Sequence, residues 1–175
     1  IPLRLVGSEM CIRDSNNVIG QVGTGSVKAA GGDTTGGDLF GDLELAANAV
    51  GVCDDANDLA MSYASNKMQG GKKLVEHQLV QLAIAEMNML TEALRSFVLR
   101  VAWEHDQGSR SANGVLMVNY STDVVLKVTR LNMDIHGALG CRSNPRVDKL
   151  VRDAMIWCHL AGDSNLRLKA FSKLN

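Results

Sequence analysis

Aromatic side chains are scarce, at 4% of the chain, which leaves little with which to build a stacking platform for nucleic-acid bases. There is no excess of charge either. A formal net charge of −1 and a pI near 6.5 give no electrostatic footprint for nucleic acid or an anionic membrane. No apolar run approaches the roughly 20 residues needed to span a bilayer. The four cysteines, Cys11, Cys53, Cys141 and Cys158, show no paired spacing. That pattern is expected of reduced thiols in a cytoplasmic protein, or in one of the mitochondrial matrix. The pairs Cys158-His159 and His136…Cys141 lack a second ligand pair at metal-site spacing, so no metal site is expected. Neither a Gly-x-Ser-x-Gly elbow nor a phosphate loop is found.

What is present is ordinary globular composition. The 175 residues are 46% apolar and 21% charged, enough for one domain with a real core. The first stretch, Ile1 to Ser15, has no clean period, and Arg4, Glu9 and Arg13 interrupt its apolar residues. It is not a signal peptide. It resembles translated sequencing-adapter DNA and is expected to be an artefact outside the domain, Cys11 with it. Residues 16–40 are crowded with Gly20, Gly23, Gly25, Gly31, Gly32, Gly36 and Gly37, too many for a stable helix interior. They are expected to form a connector. The spacing Gly20-x-x-Gly23-x-Gly25 has the wrong order for a dinucleotide fingerprint, and no strand signal precedes it.

Residues 41–175 read as a helical domain. A first helix is expected from about Phe40 to Lys67, with Leu43, Ala46, Ala47, Val50, Cys53 and Asn57 on one face and Gly70-Gly71 stopping it. A second is expected from about Leu74 to Gln107. There Leu79, Leu82, Ala83, Met87, Leu90, Leu94, Phe97, Val98 and Val101 recur three and four apart. A third runs from about Ala112 to His136 and ends in the turn Gly137-Ala138-Leu139-Gly140. Asn144-Pro145 starts a fourth that reaches about Leu160. Long helices with apolar stripes and short connections imply an all-α, antiparallel, up-and-down four-helix bundle.

Specific strings go further than the period. Tyr63-Ala64, Gly71-Lys72, Leu74-Val75-Glu76-His77-Gln78, Ala85-Glu86-Met87 and Ala102-Trp103-Glu104 follow one another in order. Ile135-His136-Gly137, Gly140 and Val147 to Ala154 (VDKLVRDA) continue the series. It is similar to the C-terminal helical domain of the acyl-CoA dehydrogenase family, and Asn17-Val18-Ile19-Gly20 resembles the last edge of that family's β-domain. The resemblance covers about Asn17 to Asn175 and implies a fragment of an FAD flavoprotein that acts on an acyl-CoA thioester. In that chemistry a carboxylate takes the α-proton and the flavin accepts the β-hydride. It also implies assembly with copies of itself or with homologous subunits, as dimer, tetramer or heteromer.

This chain departs from the family pattern at its chemical positions. Where the family has its catalytic glutamate after the fourth helix, this chain has Ala161, within Leu160-Ala161-Gly162-Asp163-Ser164. Alanine accepts no proton. Some family members carry the base at the start of the first of these helices, which makes Asp42 and Glu44 the candidates. The alternative for both is a solvated helix N-terminus favoured by the dipole. Lys67 aligns with the arginine that reaches the neighbouring subunit's FAD pyrophosphate, keeping the charge but not the bidentate fork. Gly70 stands where an aromatic ring would pack on the cofactor, and Asp134 replaces a glutamine. His77, Gln78, Gly137, Gly140 and Asp163 complete the expected cofactor-contacting set. Three activities are consistent with these departures: a dehydrogenase with a relocated base, a non-catalytic partner subunit of a heteromer, or a flavin monooxygenase on the same fold.

Overall fold

The computed structural model describes residues 34–108, 113–142 and 145–160, together with Leu168 and Phe171. The contact pattern separates residues 1–38 from Leu39–Asn175, and the packing below is that of the second unit. In chain order the elements are α1 (Thr34–Asn66), the two-residue strands β1 (Met68–Gln69) and β2 (Lys72–Lys73), and a 3-10 turn (Leu74–Glu76). Then come α2 (Gln78–Asp106), α3 (Asn113–His136), the short α4 (Ala138–Arg142) and α5 (Pro145–Leu160). The expected all-α bundle is the one observed.

Alanine explains how α1 packs. Ala46, Ala49, Ala56, Ala60 and Ala64 are fully buried at helical spacing, and so short a stripe lets neighbouring helices approach closely. The main core sets Ala49, Val50, Cys53, Ala56 and Ala60 of α1 against Met87 and Leu94 of α2. Val124, Val125 and Val128 of α3 and Leu150 and Ala154 of α5 close it. By the usual scale each fully buried Val, Leu or Met contributes about 1.5–3 kcal/mol. Helix α3 is the most enclosed, since it packs on both α2 and α5.

Polar ties set the register between helices. Asn57 Nδ2 donates to Thr91 Oγ1 at 3.0 Å, and Arg95 Nη2 donates to Asp54 Oδ1 at 2.6 Å, joining α1 to α2. Lys127 pairs with Glu86 between α3 and α2, and Arg146 with Asp55 between α5 and α1. Trp157 Nε1 of α5 donates to the Leu45 carbonyl of α1 at 3.1 Å. Asp55 meets Arg146 while Leu45 meets Trp157, so α1 and α5 run antiparallel.

The structure corrects several local expectations. Helix α1 starts at Thr34 rather than near Phe40, extending into the glycine-rich stretch. Each internal glycine costs about 1 kcal/mol of helix stability relative to alanine, a cost that a helix already propagating through Asp42–Val50 can carry. Residues 68–73, read only as a helix stop, form an antiparallel hairpin pairing Met68 with Lys73 and Gln69 with Lys72. Its turn, Gly70-Gly71, has φ of 61° and 80°, the left-handed pair that a two-residue hairpin turn demands. The expected turn at Gly137–Gly140 contains the start of α4. Ala47, expected on the core face of α1, is exposed. Leu79 and Leu82, expected in the core of α2, are 82% and 60% exposed.

Candidate functional site

The candidate residues fall at two ends of the bundle. At one end the α1 C-terminus, the hairpin, the start of α2 and the end of α3 converge. Ala64, Leu74 and Ile84 are buried together there, with Tyr63, Val75, Val80 and Ile135 packed on them. The Tyr63 ring stacks on His136 with centroids 4.2 Å apart and planes 25° from parallel. His136 is itself buried, its Nδ1 2.9 Å from the Asn132 carbonyl. A carbonyl oxygen can only accept, so Nδ1 carries the proton.

Lys67 and His77 flank the hairpin, each held to it or beside it by its own hydrogen bonds. The Lys67 amide donates to the Tyr63 carbonyl, and the Lys67 carbonyl accepts from Leu74 N, each at 2.9 Å. His77 Nε2 lies 3.0 Å from the Gln69 carbonyl and by the same reasoning donates to it. A Cβ on Gly70 would sit 3.5 Å from His77 Cε1, so the imidazole lies against the turn that Gly70 forms. Lys72 Nζ donates to the Glu76 carbonyl at 3.0 Å, while the Glu76 carboxylate accepts from Lys73 N at 2.9 Å. Three lysines within residues 67–73 thus crowd one exposed tip with a single acid close by in sequence. Gln78, the first residue of α2, is exposed beside them.

The two glycines of the later turn have different surroundings. Gly137 is exposed, with φ of 58°. Gly140 is buried: a Cβ there would come within 2.7 Å of Met133 Sδ, 2.9 Å of His136 Cβ and 3.3 Å of Val147 Cγ1. Close packing of α3, α4 and α5 is therefore a sufficient reason for this glycine. Asp134 lies 3.8 Å from Arg130 one turn earlier, so its charge has a cation beside it.

Asp42 and Glu44 are at the opposite end. From Asp42 to Asn66 the helix rises about 36 Å at 1.5 Å per residue. Asp42 is half-buried and Glu44 exposed. Because α1 starts at Thr34, both are more than a turn inside it, where the N-terminal dipole has little hold. The dipole argument for their solvated alternative therefore lapses. The Trp157–Leu45 hydrogen bond ties this stretch to the last turn of α5. Ala161 and Asp163 lie outside the described residues.

Between α1 and α5 runs an open groove of about 630 Å³, with Leu45, Asn48 and Val52 on one wall and Leu150, Ile156 and Trp157 on the other. Cys53 is buried beneath α1. Burial, and secondarily the neighbouring Asp54 charge, push its thiol up to about 12, against a smaller lowering by its hydrogen bond with Thr91. It is not a nucleophile. Among the described residues no group of three or more His, Cys, Asp or Glu side chains could hold a metal ion. No helix among them is long and apolar enough to cross a membrane.

The residue pattern alone missed the hairpin tip with Lys72 and Lys73, the Tyr63–His136 stack and the role of Trp157. A glycine pair between two short polar runs was the available signal for the hairpin.

The family model described as acyl-CoA dehydrogenase, C-terminal domain, matches residues 41–173. The short-chain specific acyl-CoA dehydrogenase of Megasphaera elsdenii is 28% identical over 129 residues, 73% of this chain and 34% of that protein. The cyclohexane-1-carbonyl-CoA dehydrogenase of Geobacter metallireducens is 27% identical over 113 residues, 64% of this chain and 30% of that protein. The solved butyryl-CoA dehydrogenase of Megasphaera elsdenii superposes with a TM-score of 0.73 at 26% identity, covering 90% of this chain and 40% of that one. The chain spans about a third of the length of the curated relatives it matches.

Proposed function

Since this chain belongs to the acyl-CoA dehydrogenase family and matches its C-terminal domain, we propose that it is the helical part of an FAD-dependent subunit that dehydrogenates an acyl-CoA thioester between Cα and Cβ. The observation that carries this reading is the separation of the candidate residues into two chemically different ends, about 36 Å apart along α1. One end is basic and suited to phosphate. The other holds carboxylates beside an open groove. A span of that size argues that the two ends serve different active sites, so that each subunit lends its basic tip to a neighbour.

The residues at the basic tip fit a pyrophosphate in part. Lys67 offers a positive charge, although a single ammonium does not reproduce a guanidinium's two parallel hydrogen bonds. Gln78 offers an exposed amide, and His77, whose Nε2–H is given to the Gln69 carbonyl, would donate to a phosphate through Nδ1 only with that nitrogen protonated as well. The Gly137–Gly140 turn completes the proposed set at this tip, and Asp163, outside the described residues, is the remaining proposed cofactor contact. With Gly70 in place of an aromatic ring, that position offers no surface on which an isoalloxazine or adenine could stack. Bound FAD would supply the acceptor for the β-hydride.

At the other end the chain must supply the α-proton base. Ala161 cannot act, and Asp42 and Glu44 are the carboxylates we assign in its place. Asp42 is the better placed for desolvation because it is half-buried, and a base gains strength as water leaves its surroundings. Glu44 is exposed and is the second candidate.

The same departures support a second reading, a non-catalytic subunit of a heteromer. Loss of the base at Ala161 coincides with loss of the stacking residue at Gly70 and of the fork at Lys67. The separating experiment uses the protein together with any upstream domains encoded in its reading frame, purified alone under anaerobic conditions. Bleaching of oxidised flavin by acyl-CoA, abolished in Asp42→Asn, supports the dehydrogenase. Flavin bound but not bleached, with α-proton exchange unaffected in both Asp42→Asn and Glu44→Gln, overturns the assigned base. A preparation that gains flavin only with a co-expressed homologue supports the heteromer, and an oxygenated product formed in a separate aerobic reaction supplied with a reductant for the flavin would turn the assignment to a monooxygenase.

A further inference from the structure

Two sulfur atoms meet at the corner between α3 and α4. Cys141 Sγ lies 3.4 Å from Met133 Sδ, with the thiol exposed and the methionine half-buried. The backbone pins this corner. The Gly137 amide donates to the Met133 carbonyl at 2.9 Å, and the Gly140 amide donates to the Gly137 carbonyl at 3.0 Å. Gly137 turns the chain with a φ of 58°, a conformation that glycine adopts at little cost. Gly140 then makes room for the thioether, since a Cβ there would stand 2.7 Å from Met133 Sδ. The methionine sulfur is thus seated over a glycine and meets the side chain of the very next residue.

We propose that Met133 and Cys141 form a binding site for a soft monovalent metal ion, Cu(I). A thiolate and a thioether are the soft ligands that select this ion over harder ones. On binding, the metal takes the place of the Cys141 thiol proton, which leaves to solvent, and copper is neither oxidised nor reduced. The spacing of cysteines and histidines does not reveal the pair, because its second ligand is a methionine.

The geometry needs little adjustment. With a metal–sulfur bond of about 2.3 Å, a trigonal angle sets two sulfurs roughly 4 Å apart. The further opening of about half an ångström is within reach of a methionine, whose side chain has three rotatable bonds. The exposed side of Cys141 leaves a third position for a solvent or buffer ligand. His136 borders the same corner, but its Nδ1 is taken by the Asn132 carbonyl and its ring by Tyr63, so it is not assigned to the metal. A closed zinc site needs four ligands. Among the described residues no group of three His, Cys, Asp or Glu side chains is present to build one. The site stands apart from the flavin reading, for it requires neither cofactor nor substrate.

The test supplies Cu(I) without oxygen, held by a coloured competing chelator, to the purified chain. Cys11 and Cys158 are replaced by serine in every protein compared, because other thiols would bind the same ion. The chain should withdraw a single ion from the chelator, and X-ray absorption should find two sulfurs around it. Met133→Leu should weaken binding at least 10-fold with an unchanged far-ultraviolet helical signal, and Cys141→Ser should abolish it. Zn(II) at equal concentration should leave Cu(I) in place. Equal affinity in Met133→Leu would reduce the site to an isolated thiol and overturn the proposal. So would retention of the ion by Cys141→Ser, displacement by Zn(II), or failure of the chain to withdraw any copper.

Discussion

Trp157 of α5 donates its indole N–H to the carbonyl oxygen of Leu45, 112 residues earlier in the chain, at 3.1 Å. That bond fixes the height of α5 against α1. It also sets the segment leading toward Ala161 beside the segment that holds Asp42 and Glu44. Leu45 lies within α1, so its carbonyl already faces the intrahelical donor four residues on, and the indole is a second one. Replacing Trp157 with Phe keeps a six-membered aromatic ring and removes the N–H together with the pyrrole carbons of the indole. The expected loss is about 0.5–1.5 kcal/mol, read as a lower urea midpoint at unchanged slope. A loss above about 3 kcal/mol would show that packing of the larger ring dominates at this site.

Two glycines give opposite expectations from the same substitution. At Gly140 an added Cβ meets Met133 Sδ at 2.7 Å and His136 Cβ at 2.9 Å. Gly140→Ala should therefore cost about 1–3 kcal/mol, the usual range for overpacking, and Met133→Ala in the same chain should recover part of it. At Gly51, in the middle of α1, nothing lies within 4 Å of the added carbon. Gly51→Ala should stabilise by about 0.5–1 kcal/mol through the restricted unfolded chain. Thermal melts of the two variants, moving in opposite directions, check both.

The same glycine marks a boundary of what the residue pattern could tell. The resemblance places Gly140 among the cofactor contacts, and the side chains of its own domain packed against it are an independent reason for a glycine there that the residue pattern does not carry. Helical period placed Met87, Leu94 and Val101 in the core correctly, and placed Leu79 and Leu82 there wrongly. Period reports that a stripe exists. It cannot say which of two stripes on one helix faces inward, because both have the same spacing. The hairpin at Met68–Lys73 escaped because two-residue strands carry no period at all. Asn144-Pro145 set the start of α5 well, since proline at a first helical position is a local constraint that tertiary packing does not override.

Asn132 is fully buried on α3, and neither its Nδ2 nor its Oδ1 has a partner among the described residues. An unpaired buried amide costs about 1–3 kcal/mol, and leucine has nearly the same branched outline. Asn132→Leu should raise the unfolding free energy by about 1–2 kcal/mol, the part of that cost recovered when the polar atoms go. Chemical denaturation measures it. A fall of similar size would mean that the amide is satisfied in solution and that the apolar replacement breaks a real hydrogen bond.

Cys53 and Cys141 should be distinguishable by their chemistry. Cys141 is exposed, with Sγ 3.4 Å from Met133 Sδ, and should react with an aromatic disulfide reagent in the folded protein. Cys53 is buried and its thiol is pushed up to about 12, chiefly by burial, so it should stay silent until the chain unfolds. The same shift makes stability depend on pH in a stated direction. Below the ordinary thiol value of 9.0 both folded and unfolded chains keep the proton, and the contribution is intact. As pH rises from there toward about 12, the unfolded chain gives up its proton first and the unfolding free energy falls. Cys53→Ala removes the titrating group. Its stability should decline less steeply over that alkaline window than the wild type's, although it starts lower by the lost packing. Parallel slopes for the two proteins above the ordinary thiol range would show that Cys53 ionises as easily in the fold as outside it, and would refute the burial argument.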